Sequence, residues 1–380
     1  VSLYRCPRCQ NQDSNKIAFR KGIVYCRACI SFSSIDLIPK PRSPLAVRIQ
    51  LGYALTPEQK TISNQLIECY RRQQSAMVDA VTGSGKTEIV FGLIQVALAE
   101  GKRIGFVIPR KDVVIELIPR FQSVFPSIKI VGVYGNHSNE VEGDLVVLTT
   151  HQMYRYDAYF DVIIFDEVDA FPYAGDDVLK SFVHRANRGI IVYLSATFSK
   201  EDLKQFSQDG GQVFQLLKRF HGFPIPQLQF KLHPFFFKWF TVIIQIKNMV
   251  KINKPIFVFV PTITVGKKLY RWLSLFFKDI SLAYAAIEEK DMIVENFKRK
   301  GTGILITTSI LERGITMVGL QVIIFMADHP LFNTATLIQM AGRSGRKKIE
   351  PHGEVILYGD KLTPMIVLAQ EKIAFANAHL

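Results

Sequence analysis

The sequence predicts an α/β protein, with two parallel-sheet domains behind a small module held by four cysteines. Three observations carry this expectation. Short apolar, β-branched runs alternate with helical or loop stretches, and that pattern stops at a proline-bearing stretch and then restarts. Four of the five cysteines form two Cys-x2-Cys pairs near the N-terminus. The chain, at 380 residues, is longer than one hydrophobic core ordinarily organises. With 48% hydrophobic and 21% charged residues it carries enough apolar surface to offset the entropy of ordering, so an extended, disordered polymer is excluded.

The module comes first. Sixteen residues separate the pair Cys6 and Cys9 from the pair Cys26 and Cys29. Each pair can grip a metal from a tight turn, and two such turns make a closed tetrahedral thiolate site, the arrangement of structural Zn²⁺. Two disulfides would use the same residues in an oxidising compartment, which nothing in the sequence indicates. With no open coordination position the metal would staple the module and would not activate water. Arg5, Arg8, Lys16, Arg20, Lys21 and Arg27 are interleaved with Tyr4, Phe19 and Tyr25. That mixture suits single-stranded nucleic acid, and equally describes a solvated surface. Cys69, alone in a helix-like stretch, reads as a packing residue.

The module is assigned to residues 1–40, and PKPRSP marks a linker over 41–54. The first domain, 55–215, holds the runs SAMVDAV, RIGFVIP, IKIVGVY, DLVVLTT, DVIIFDE and GIIVYLSAT. Pro224, Pro226 and Pro234 mark the boundary region, and the second domain, 216–380, continues with PIFVFVP, ISLAYAA, GILITTS, LQVIIFM and GEVILYG. No window reaches the roughly 18 to 20 apolar residues that span a bilayer. The nearest, FFFKWFTVIIQI at 235–246, is broken by Lys238 and reads as a buried helix or strand, with a membrane-lying segment as the alternative. No signal-peptide pattern is visible in the opening residues, and the chain begins with Val1.

A formal net charge of +14 favours an anionic partner, because clustered cations release the counterions of a phosphate backbone. An anionic lipid surface satisfies the same electrostatics, and a merely basic surface is the third reading.

The chemistry starts at AVTGSGKT, 80–87. Glycines let backbone N–H groups turn toward phosphates, Lys86 supplies positive charge to the outer ones, and the Thr87 hydroxyl can ligate Mg²⁺. Metabolite kinases, nucleotide switches and nucleic-acid motors all use such a loop. About eighty residues on, DVIIFDEVD ends an apolar strand in adjacent carboxylates. Asp166 is placed to hold the Mg²⁺ shell, with Glu167 one position on to orient or deprotonate water. SAT at 195–197 ends another strand, and TTSILERGIT and QMAGRSGR follow in the second domain. Arg343 and Arg346, three apart on a helix-like segment, would share one face and reach across an interdomain cleft to the γ-phosphate. An arginine finger of that kind is worth roughly 10³ to 10⁵ in rate.

The ordered set LTPEQ, AVTGSGKT, VIPRKDV, LTTHQMYR, DEVD, SAT, TTSILERGIT and QMAGRSGR resembles the superfamily 2 helicase and translocase core over about 55–346. The stretches THQMYR, DEVDAFPY, RFHG and TTSILERGIT, with the four-cysteine module, resemble the competence ATPase family ComFA of Gram-positive bacteria over nearly the whole chain. The resemblance implies two RecA-like domains and a cytoplasmic motor that helps draw single-stranded DNA through a membrane channel. Such a motor would work at the inner face of the membrane, with ATP, Mg²⁺ and Zn²⁺ as cofactors. A phosphoribosyltransferase-like competence protein and a recombination mediator are the partners it implies.

By the same resemblance Gln59 would read the adenine edge, while Thr82, Gly83, Ser84, Gly85, Lys86 and Thr87 would hold phosphates and Mg²⁺. Ser195 and Thr197 would couple the acidic motif to DNA engagement, and Gly314, Gln339, Arg343 and Arg346 would close the nucleotide site. Pro109, Arg110, Thr149, Thr150, Pro261 and Thr308 would line a DNA path along the sugar-phosphate backbone. Two positions depart from the pattern. Ala80 replaces the first glycine of the general loop, which is usual for the superfamily, and Thr316 stands where many relatives carry an acidic residue near the ribose. Two other readings share these motifs: a duplex-unwinding helicase of replication restart or repair, and an ATP-gated DNA-binding scaffold.

Overall fold

A computed structural model describes the chain except residues 1–3, 33–35, 170–172, 174, 235, 309–316, 347–348 and 380. It divides into two compact units, one of residues 1–80 and 85–216, the other of residues 81–84 and 217–380.

The first unit opens with a hairpin, β1 (Ile17–Arg20) and β2 (Ile23–Cys26), turned at Lys21 and Gly22, both with positive φ. Its main sheet is wholly parallel. The strands are β3 (Ala76–Ala80), β4 (Ile104–Ile108), β5 (Ile130–Val133), β6 (Leu145–Thr149), β7 (Phe160–Asp166), β8 (Asn187–Ser195) and β9 (Gln212–Leu216), in the order β5-β6-β4-β7-β8-β3-β9. Helices cover its faces, as parallel crossovers require. The helix Phe91–Ala99 has almost no polar residue and is correspondingly buried, with Leu93, Ile94, Ala97 and Leu98 inaccessible to solvent.

The second unit has six parallel strands, β10 (Leu228–Leu232), β11 (Ile256–Phe259), β12 (Ile280–Ala283), β13 (Ile304–Thr307), β14 (Gln321–Phe325) and β15 (Val355–Gly359). Their order is β10-β15-β14-β11-β13-β12. Each apolar run named from the sequence is a strand of one of these sheets. β9 and β10 carry no continuous apolar run, and each keeps part of its side chains in water.

The FFFKWFTVIIQI stretch belongs to a helix, Phe237–Lys251. Val242, Ile243, Ile246 and Met249 pack on the sheet, while Phe237, Phe240 and Ile244 face solvent. Lys238 is buried and donates to Asp360 at 2.7 Å. Among the described residues no helix is long and apolar enough to cross a membrane.

The stretch read as a linker is extended but stitched down. Leu45, Val47, Ile49 and Leu51 pack against the first unit's core, and Arg42 pairs with Asp144. The Leu45 amide donates to the Leu98 carbonyl, and Gln95 donates to the carbonyl of Val47.

Candidate active site

The helix Pro57–Arg71 begins with a reciprocal cap. The Thr56 hydroxyl accepts from the Gln59 amide at 3.2 Å, and the Gln59 side-chain oxygen accepts from the Thr56 amide at 2.9 Å. Gln59 is buried, and its other amide atom lies against the phosphate loop: a Cβ on Gly85 would sit 2.3 Å from Nε2. The residue expected to read adenine is thus also a helix cap and a brace for the loop.

In the loop Gly83 and Gly85 take φ of +81° and +83°, a conformation costly for any side chain. The Thr82 hydroxyl is buried with no hydrogen-bond partner among the described residues. Left-handed glycines and an orphaned hydroxyl fit a cradle for phosphate oxygens. Lys86 is half-buried, and Ser84 and Thr87 are buried. The backbone then enters a 3-10 turn, Glu88–Val90, ahead of the helix Phe91–Ala99. Glu88 anchors that turn, accepting from Tyr53 at 2.9 Å and pairing with Arg120.

The order β7-β8-β3 brings three motifs to one carboxyl edge. β3 feeds the phosphate loop, β8 ends in Ser195, and β7 ends in Asp166, which is buried. Glu167 has φ of +61°, rare for a non-glycine residue, and its amide donates to the Leu194 carbonyl at 2.9 Å. Left-handed strain of about 1 to 2 kcal/mol at a carboxylate beside the phosphate loop is the kind that functional sites retain.

Sequence reasoning left Asp169 without a role. Ser195 Oγ donates to its Oδ1 at 2.5 Å, and the Thr197 hydroxyl donates to Oδ2. The Thr197 amide in turn donates to Ser195 Oγ at 3.0 Å. The fourth residue of DEVD therefore receives SAT.

The residues expected along DNA fall into matching pairs. Ile108 of β4 registers with Thr149 of β6, so Pro109 and Arg110 lie beside Thr149 and Thr150 at the first sheet's carboxyl edge. Phe259 of β11 registers with Thr307 of β13, so Pro261 and Thr308 stand in the same relation in the second. Pro109, Thr149, Thr150 and Pro261 are buried, and Arg110 and Thr308 half-buried.

The helical placement of the two arginines does not hold. The helix Thr334–Ala341 stops at Gly342, and Gly345, with φ of +62°, turns the chain between Arg343 and Arg346. Gly342 keeps right-handed dihedrals, and it is the left-handed Gly345 that breaks the periodicity a common face would need. Arg343 and Gln339 are buried and Arg346 half-buried. Gly314, with Thr316, lies outside the described residues.

The four cysteines converge. Their Sγ atoms all lie within 4.8 Å of one another, with Cys6 to Cys29 at 3.7 Å and Cys9 to Cys26 at 3.6 Å. With Zn–S near 2.3 Å the edge of a tetrahedron is about 3.8 Å, so the cluster fits a structural Zn²⁺. All four are buried free thiols, and their spacing is too wide for the S–S bond of about 2.05 Å. Phe32 packs its ring on His151, Tyr154 and Phe182, so the knuckle is docked against THQMYR.

Comparison with known proteins agrees with this geometry. Residues 52–200 match the family model described as type III restriction enzyme, res subunit, and 240–348 match the helicase conserved C-terminal domain. Competence protein ComFA of Bacillus subtilis is 32% identical, over 98% of this chain and 86% of the relative. The chain belongs to the ComFA family. The Streptococcus pneumoniae ComFA is 30% identical over 98% of this chain and 90% of its own length. Yeast Dbp5, solved bound to RNA and ADP BeF3, superposes with a TM-score of 0.62 at 16% identity, covering 86% of this chain and 93% of Dbp5. The fold is thus the RecA-like pair of superfamily 2. As a ComFA-family member with both helicase domains, the chain is a competence-associated, DNA-dependent ATPase of that superfamily, and ATP with Mg²⁺ is the cofactor set that these domains imply.

Proposed function

We propose that this ComFA-family chain is an ATP-driven translocase of single-stranded DNA that powers uptake of transforming DNA. The observation that carries the reading is the repetition of one edge in both units, Pro109 beside Thr149 and Pro261 beside Thr308. Two similar edges suit a track that is gripped by its phosphates, without regard to sequence. A motor needs two grips, since one must hold while the other advances.

In this reading Lys86 meets the outer phosphates, Thr87 and Asp166 hold the Mg²⁺ shell, and Glu167 takes the proton of the attacking water. Bound nucleotide supplies the free energy of its terminal phosphate bond. Arg343 and Arg346 neutralise charge that develops on the transferred group. Lys86, Thr87, Asp166 and Glu167 belong to the first unit and the two arginines to the second. The four cysteines hold Zn²⁺ as a staple. Work at the inner face of the membrane, and recruitment by a channel, a phosphoribosyltransferase-like protein or a recombination mediator, follow from the family reading.

The test is steady-state ATP hydrolysis without DNA, with single strands and with blunt duplex, using Lys86→Ala and Glu167→Gln as blanks. Single strands alone should stimulate, and both variants should lose hydrolysis while still binding DNA. Equal stimulation by duplex would favour the helicase reading, and one turnover per binding event the scaffold.

A further inference from the structure

RFHG, residues 219–222, belongs to the family resemblance but has no part in phosphate, metal or water chemistry. Its arginine is the largest fully buried side chain among the described residues, at 2% exposure. A guanidinium taken out of water must find acceptors for its donors or cost several kcal/mol. Among the described residues no carboxylate pairs with Arg219; backbone carbonyls collect around it. Nη1 donates to Gly345 at 2.9 Å and Pro224 at 3.3 Å, and Nη2 to Gly342 at 3.2 Å and Ser344 at 3.4 Å.

Three of those four carbonyls lie in the turn that carries Arg343 and leads to Arg346. Ser344 adds a second tie, donating from Oγ to the Leu320 carbonyl at 2.8 Å. On its other side Arg219 meets the apex of the phosphate loop, which belongs to the same unit. Its Nε is buried without a hydrogen-bond partner, 3.1 Å from where a Cβ on Gly83 would stand. The neighbouring Phe220 amide donates to the Gly83 carbonyl at 3.1 Å. Burial, with the Arg346 charge nearby, lowers the Arg219 pKa to about 10, which leaves it a cation at neutral pH.

We propose that Arg219 is a positioning residue: its guanidinium fixes the 342–345 turn, so that Arg343 and Arg346 are presented for catalysis, and ties that turn to the phosphate loop at Gly83. A fork of fixed N–H directions can hold several carbonyls at once, which a lysine ammonium on a flexible stem cannot. The inference rests on the reading of Arg343 and Arg346 as charge-stabilising groups.

The test compares Arg219→Lys, Arg219→Met, Arg343→Ala, Arg346→Ala and the double variant Arg219→Lys/Arg343→Ala in the full chain, with saturating single-stranded DNA. A misplacement of about 1 Å costs on the order of 10² in rate, so Arg219→Lys should lose about that much kcat. Its KM for ATP and its affinity for a fluorescent ATP analogue should move far less than kcat, since losing a group that acts on developing charge shows first in kcat. The double variant should be slower than Arg343→Ala by much less than the factor Arg219→Lys costs alone, because only Arg346 is then left to misplace. Arg219→Lys with kcat within twofold of the parent, or multiplying losses in the double variant, would overturn the proposal while leaving the arginine reading intact. Full activity of Arg343→Ala and Arg346→Ala would overturn both. If Arg219→Met does not fold, the lysine variant decides alone.

Discussion

Replacing Asp169 separates two functions that its side chain joins. Its carboxylate takes one hydroxyl on each oxygen, Ser195 at 2.5 Å on Oδ1 and Thr197 on Oδ2, across the gap between the end of β7 and the end of β8. Hydrogen bonds to a charged acceptor are worth about 1.5 to 3 kcal/mol each, and Asp169 is half-buried, so the lower figure applies: about 3 kcal/mol for the pair. Asp169→Ala removes both and should lower the melting temperature of the first unit by roughly 6 to 12 °C. Asp169→Asn keeps one acceptor, and its amide can donate to a hydroxyl, so only charge assistance is lost, about 1 kcal/mol. Melting followed by circular dichroism gives the stability order, and hydrolysis with and without single-stranded DNA gives the functional one. Asn should keep most DNA-independent turnover and lose most of the stimulation, because the SAT hydroxyls are then held less firmly to the acidic motif. Asp169→Ala melting within a degree of the parent would refute the energetic argument, and stimulation undiminished in both variants would refute the coupling.

Cys6→Ser/Cys9→Ser, or chelation of zinc, should unfold the β1 and β2 hairpin and, through the packing of Phe32 on Tyr154 and Phe182, lower the melting of the first unit as a whole. Both tryptophans, Trp239 and Trp272, lie in the second unit, so their emission should stay constant while circular dichroism changes; unaltered metal content and melting would contradict the zinc assignment. Burial, with the Arg219 charge nearby, lowers the His221 pKa to about 4, while the unfolded imidazole titrates near 6.5. The unfolded chain binds the extra proton between those values, so stability present above about pH 6.5 is lost as pH falls toward 4. Melting temperature against pH should fall less steeply for His221→Gln over that window, and parallel slopes would dismiss the contribution.

The sequence made the interior strands legible because a strand buried on both faces must be apolar at nearly every position. β9 and β10 escaped because Gln and Lys interrupt QVFQL and LQFKL, which look like loop or helix surface. The phosphate loop, Asp166 and Glu167 could be read from local spacing, whereas the joining of Asp169 to SAT depends on β7 and β8 being neighbours. Arg219 was invisible for a different reason. Three of its four acceptors are main-chain carbonyls some 125 residues away, and no side-chain pattern records a carbonyl. The packed 41–54 stretch did leave a trace, in the alternation of Leu45, Val47, Ile49 and Leu51, but its prolines drew attention to a tether.

The strand order also governs how the chain can assemble during synthesis. β3 is the first strand of its sheet to be made, yet it lies between β8 and β9, so it waits until Leu216 has emerged before both its edges are covered. The loop beyond it waits longer, since Gly83 takes its backbone partner from Phe220. At roughly 5 to 20 residues per second that delay is on the order of ten seconds. Throughout it the glycine-rich loop is exposed on a nascent chain with half its neighbours missing. A ribosome-bound intermediate halted shortly before residue 216 should therefore offer an unsatisfied strand edge to chaperones and hold no nucleotide.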